Sequence, residues 1–170
     1  NTLVCSRANE TIMIESLKTG ITFGITSGTI TTLGLMVGLY SGTNSRSVVI
    51  GGILTIAIAD SLSDALGIHI SEEANHSRTT MQVWVATVAT FLSKLYAIIF
   101  IIPVLLFDLS VAININLVFG ISILTILSYY LAKSQGTKAW KVILEHLIII
   151  IVVVVLTYIL GKFIAKYVGS

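Results

Sequence analysis

Asp60 and Asp64 stand four residues apart in "GGILTIAIADSLSDALGIHISEE", a stretch that otherwise reads as a membrane-spanning helix. Spacing of i, i+4 puts both carboxylates on one helix face. Ser63, Gly67 and Ser71 fall within about 60° of them, a narrow stripe of small residues. A carboxylate inside a bilayer costs at least ~2.5 kcal/mol on insertion scales, and two so close repel. Either they carry protons, they bind a cation, or a positive group pairs with them. Hard divalent cations take carboxylate oxygens, and Fe²⁺ and Mn²⁺ accept them.

The positive candidate is Lys94, deep within "TFLSKLYAII" and too far from either end of its segment to snorkel. Two readings follow. Lys94 fixes helix register as a buried ion pair, or it competes with a travelling cation or proton for Asp60 and Asp64.

A second cluster, "HISEEANH", spaces His69, Glu72, Glu73 and His76 as i, i+3, i+4, i+7. On a helix continuing past the membrane these four share one face, opposite the aspartates. Imidazole with carboxylate suits Zn²⁺, Fe²⁺ or Mn²⁺, so the set reads as metal-entry ligands or as an ordinary solvated helix end. Glu145 and His146 could add ligands or mark the interface. No nucleophile triad, phosphate loop or Cys-based metal motif is present, and no enzyme activity is expected.

The elements that must hold these residues follow from composition. The chain has 170 residues, 55% hydrophobic and 11% charged, with net charge +2 and mean hydropathy +0.99. Soluble domains are roughly a quarter charged, so an all-α integral membrane protein is expected. No basic cluster suits nucleic acid. Cys5 is single, which excludes an internal disulfide. No signal peptide is evident in "NTLVCSRANETIMIES".

A span needs about 20 mostly apolar residues, and five segments qualify: Gly20 to Tyr40, about Ser47 to Ile70, Val83 to Phe107, Val111 to Ala132, and Ile143 to Tyr167. Residues 19–168 thus form a five-helix transmembrane domain. Residues 1–18, with Ile12, Ile14 and Leu17, are either an amphipathic interfacial helix or a frayed end. Arg7, Lys18, Arg78, Lys133, Lys138 and Lys141 fall on one side of the membrane, and Arg46, Lys162 and Lys166 on the other. That bias places the amino terminus in the cytoplasm and the carboxyl terminus opposite.

The first span carries Gly20, Gly24 and Gly28, then Gly34, Gly38 and Gly42, all within one band of roughly 120°. Such a smooth face serves close packing within the chain or pairing with a second copy. Thr22, Thr26, Ser27, Thr29, Thr31 and Thr32 on the same helix suggest the lining of a polar path, Ser27 and Thr31 among its candidate residues.

"GITSGTITTLGLMVGLYSG" followed by "GGILTIAIADSLSDALGIHISEEA" resembles the vacuolar iron transporter family of plants, yeast and prokaryotic relatives. The resemblance runs from about Glu15 to Gly161. It implies a five-helix homodimer that moves Fe²⁺ or Mn²⁺ out of the cytoplasm in exchange for protons, with no permanent cofactor. Its membrane would be the cell membrane in a prokaryote or a vacuolar-type membrane in a eukaryote, with lipid, metal ion and protons as partners. The chain departs from the family pattern at several places. Ser27 stands at the first-helix Asp, Ile56 at an acidic position of the second helix, and Asp64 at a metal-contacting Met. The Glu-rich cytoplasmic helices are replaced by "SEEANHSRTT". The alternative expectation is a non-transporting membrane scaffold or interaction subunit of the same fold.

Overall fold

The structure, a computed structural model, describes residues 2–168, with side chains from Ile12 onward. It is all helical: α1 (Thr2–Thr43), α2 (Arg46–Glu73), α3 (Thr80–Leu95), a 3₁₀ turn (Tyr96–Phe100), α4 (Ile101–Leu106), α5 (Leu109–Ser134) and α6 (Ala139–Tyr167). Among the described residues five helices are long and apolar enough to cross a membrane: Ile12–Thr43, Arg46–Glu73, Thr80–Leu106, Leu109–Ser134 and Ala139–Tyr167. An all-α integral membrane protein requires such a set. The α6 span has a mean hydropathy of 2.9 with 11% of it buried, so most of its Ile, Val and Leu side chains face outward, as lipid demands, Ile150 excepted. α1 runs unbroken from Thr2 through the 18/19 boundary. Ile14 and Leu17 are exposed while Ser16 is buried; residues before Ile12 lie outside the described side chains.

Helix ends follow local chemistry. Thr79 caps α3 through a reciprocal pair with Gln82: Gln82 N donates to Thr79 Oγ1, and Thr79 N to Gln82 Oε1. After α5, Gly136 takes φ +66°. There Gly136 N bonds Lys133 O and Thr137 N bonds Ala132 O, the left-handed closure that glycine adopts without penalty.

The chain divides into two compact units. One comprises α1 up to Gly28 with Ala57–Tyr96. Here Gly20 and Gly24 let the α1 backbone close on α3. A Cβ on Gly20 would run into Ala86 O, and one on Gly24 into Ser93 Oγ, with Thr90 O at 2.7 Å. Ser93 Oγ donates to Gly20 O at 3.2 Å and Tyr96 OH to Ile25 O at 3.3 Å.

The other unit comprises Thr29–Ile56 with the chain from Ala97 onward. There Gly34, Gly38 and Gly42 meet α6, where added Cβ atoms would lie 2.6 Å from Val153 Cγ1, 3.4 Å from Thr157 Cβ and 3.2 Å from Gly161 O. All six glycines of α1 are therefore used for packing within the chain. Leu33, Met36, Phe100, Leu124 and Ile150 fill the core of this unit. Pro103 has no N–H to return to the carbonyl four residues earlier, which accounts for the tightened 3₁₀ turn before α4. Asn116, wholly buried, donates from Nδ2 to Phe100 O at 2.8 Å, a carbonyl to which Pro103, three residues on, has no N–H to give.

Candidate intramembrane ion site

Four side chains meet in the first unit. Lys94, 1% exposed, is the largest fully buried side chain. Its Nζ lies 2.5 Å from Asp60 Oδ2, and it also contacts Asp64 Oδ2. It donates to Ser27 Oγ at 2.9 Å, and Ser27 Oγ donates in turn to Asp64 Oδ2 at 2.6 Å. A serine hydroxyl has one hydrogen, so the order is fixed: lysine to serine to aspartate. The ammonium has three hydrogens and three oxygen partners.

Helix geometry explains the convergence. Ser27, Asp60 and Lys94 each sit near the midpoint of spans of 32, 28 and 27 residues, so all three reach the same depth. Asp64 lies one turn from Asp60 on the same face. Lys94 is the penultimate residue of α3, beside the glycine seam that draws α1 close. Its side chain is 2% exposed, against 26% for Asp60 and 21% for Asp64. The carboxylates thus keep an open edge and the ammonium does not. With all three ionised the cluster carries one net negative charge.

The rest of the small-residue stripe turns away from this site. Ser63, Gly67 and Ser71 are exposed, and nothing lies within 4 Å of a Cβ position on Gly67. Thr31 belongs to the other unit and is half-buried.

The "HISEEANH" residues do not gather. The α2 helix stops at Glu73, because Asn75 Oδ1 takes both Ser77 N and Ser77 Oγ and turns the chain. The helix therefore carries His69, Glu72 and Glu73, while His76 lies beyond its end and is exposed in the loop. Glu72 Oε2 pairs with Arg78 Nε at 3.1 Å, Arg78 also approaching Glu15 at 3.9 Å, while Glu73 is exposed. His69 turns to α3, its Nδ1 2.9 Å from Thr87 Oγ1 and its ring edge-on to Trp84 at 4.8 Å. Among the described residues no three His, Cys, Asp or Glu side chains come together as a metal-holding group.

Sequence reading missed a matching contact in the other unit. His146 Nδ1 lies 2.9 Å from Ser128 Oγ, which itself donates to Leu124 O at 2.6 Å. Thr87 likewise donates to Val83 O at 2.7 Å. Each hydroxyl has a backbone carbonyl that can take its hydrogen, an arrangement that favours Nδ1 as the donor to it, the tautomer deciding the direction. The signal was available: each pair is separated by 18 residues across a short helix–helix connection.

Compared with protein-family models, curated proteins and solved structures, the chain matches none.

Proposed function

We propose that the chain carries a cation across the membrane at Asp60 and Asp64, with Fe²⁺ or Mn²⁺ as cargo leaving the cytoplasm. The observation that carries this reading is the convergence of oxygens from Asp60, Asp64 and Ser27 on one mid-span point that already holds a positive charge. The same hard oxygen set suits a divalent ion, water completing its shell. The open edge of the carboxylates gives such an ion a way in that the buried ammonium does not block. Ser27, which the resemblance aligns with a path aspartate, touches both Lys94 and Asp64.

A homodimer belongs to this reading. With the α1 glycines occupied, its face is assigned to α2, where Ala59, Ser63, Gly67 and Ser71 recur every fourth residue and are all exposed. Small residues at this spacing let helices approach closely in lipid, where packing drives association.

The second reading, a non-transporting scaffold, is favoured by the enclosure of Lys94, which hydrogen-bonds Ser27 and Asp64 and pairs with Asp60. Flux of Fe²⁺ and Mn²⁺ into proteoliposomes separates the two, and running it with and without a pH gradient reads the proton coupling. Uptake that Asp60→Asn and Asp64→Asn abolish is the expected result. Silence toward every divalent ion from folded protein would leave the scaffold.

A further inference from the structure

We infer that Lys94 is an exchangeable internal cation: cargo displaces its ammonium from Asp60 and Asp64, and the ammonium returns when cargo leaves. This rests on the transport reading above and assigns its return step. Three observations carry it. Lys94 engages Oδ2 of each carboxylate, so it occupies the point that a bound cation would need. Ser27 Oγ offers the ammonium a neutral acceptor beside the carboxylates, at 2.9 Å, where a bond survives displacement. The lysine stem packs directly on Gly28, a Cβ there falling 3.1 Å from Lys94 Cγ, so no α1 side chain stands at that point of the stem.

Charge decides what the exchange achieves. Two carboxylates alone carry two negative charges when empty and none with a divalent ion bound. With Lys94 the empty site carries one negative charge and the loaded site one positive charge. The cost of holding charge in a medium of low polarity rises with its square, so the doubly negative empty site is the state to avoid. Lys94 removes that state without a proton. The wild-type carrier therefore resets with no cargo bound and no pH gradient, whereas a chain lacking the lysine resets only with cargo or protons aboard.

The test uses the full chain in proteoliposomes with Mn²⁺, comparing uptake into Mn²⁺-free vesicles with exchange against Mn²⁺ inside. Wild type is expected to show similar rates in both modes. In Lys94→Met the ratio of exchange to net uptake rises by about tenfold or more, because only the empty return is hindered. An unchanged ratio overturns the proposal, as does equal loss of both modes, which a register role gives. Absence of wild-type flux removes the transport reading and this inference together. A second measurement needs no variant: amine acylation of Lys94, mapped by mass spectrometry, increases severalfold when saturating Mn²⁺ frees the ammonium. Unchanged labelling in a chain that transports Mn²⁺ overturns the exchange while leaving transport intact.

Discussion

Gly28 and Lys94 fit together as absence and stem: a Cβ on Gly28 would stand 3.1 Å from Lys94 Cγ and 3.4 Å from Lys94 O. Alanine there asks the flexible stem to yield by a few tenths of an ångström, while valine must move it. Gly24 is stricter, because its Cβ would meet Ser93 Oγ and the Thr90 carbonyl, which is backbone. Gly28→Ala is expected to change stability little. Gly24→Val should cost about 1–3 kcal/mol or more, as overpacking does. Thermal unfolding in detergent reads both, and a Gly24→Val protein as stable as wild type would show that the seam is not this tight.

The two carboxylates are not equivalent partners of Lys94. Asp64 also receives the Ser27 hydrogen and is the less exposed of the pair. Removing the lysine leaves two uncompensated charges, so Lys94→Met without divalent ions should destabilise by several kcal/mol, of the order of 3–5 for a broken buried pair, and saturating Mn²⁺ should restore much of it. Double-mutant cycles with Asp60→Asn and Asp64→Asn should give the larger coupling to Asp64, within about 0.5–3 kcal/mol. Equal couplings would mean that Ser27 adds nothing to the cluster.

Much of this arrangement was legible in the chain itself. Five apolar runs separated by polar turns fix the spans, and a lysine too deep to snorkel must seek the only carboxylates at its depth. The glycine band was equally plain, but its use was not. Spacing shows that a face is smooth, not which helix lies on it, and here α3 and α6 occupy it in turn. The shared face of the "HISEEANH" set assumed a continuing helix, and the Asn75 side chain ends it before His76. Asn116 left no signal at all, since its partner is a backbone carbonyl beside a proline sixteen residues away.

His69 and His146 should both be Nδ1-protonated when neutral, since Thr87 and Ser128 can give their hydrogens to Val83 O and Leu124 O. Nitrogen-15 NMR of histidine-labelled protein above the imidazole titration range checks this. Thr87→Val and Ser128→Ala remove the acceptors and should each admit the other tautomer, at about 0.5–1.5 kcal/mol of stability. Nε2–H imidazoles in the wild type would reverse the hydrogen-bond order assigned here.

Asn116 offers a separate check on the break in the third span. Asn116→Leu withdraws the Nδ2 donor from Phe100 O in a setting without water, and should cost about 1–3 kcal/mol. Pro103→Ala restores an N–H in the same stretch, so the double variant should recover part of that loss. If Pro103→Ala changes the cost of Asn116→Leu by nothing, the asparagine is not serving the proline break.

The exposed stripe on α2 makes the last distinction. Gly67 has open space where a Cβ would go, so Gly67→Leu should leave the fold of the single chain unchanged. In a dimer packed through Ala59, Ser63, Gly67 and Ser71, the same leucine holds the two α2 helices apart. Native mass spectrometry from detergent should then show wild-type dimers and Gly67→Leu monomers of equal thermal stability. Gly24→Leu should behave in the opposite way, losing stability in the single chain because its space is already filled by α3. Wild-type monomers would retire the α2 interface. Dimers surviving Gly67→Leu would move it to another face.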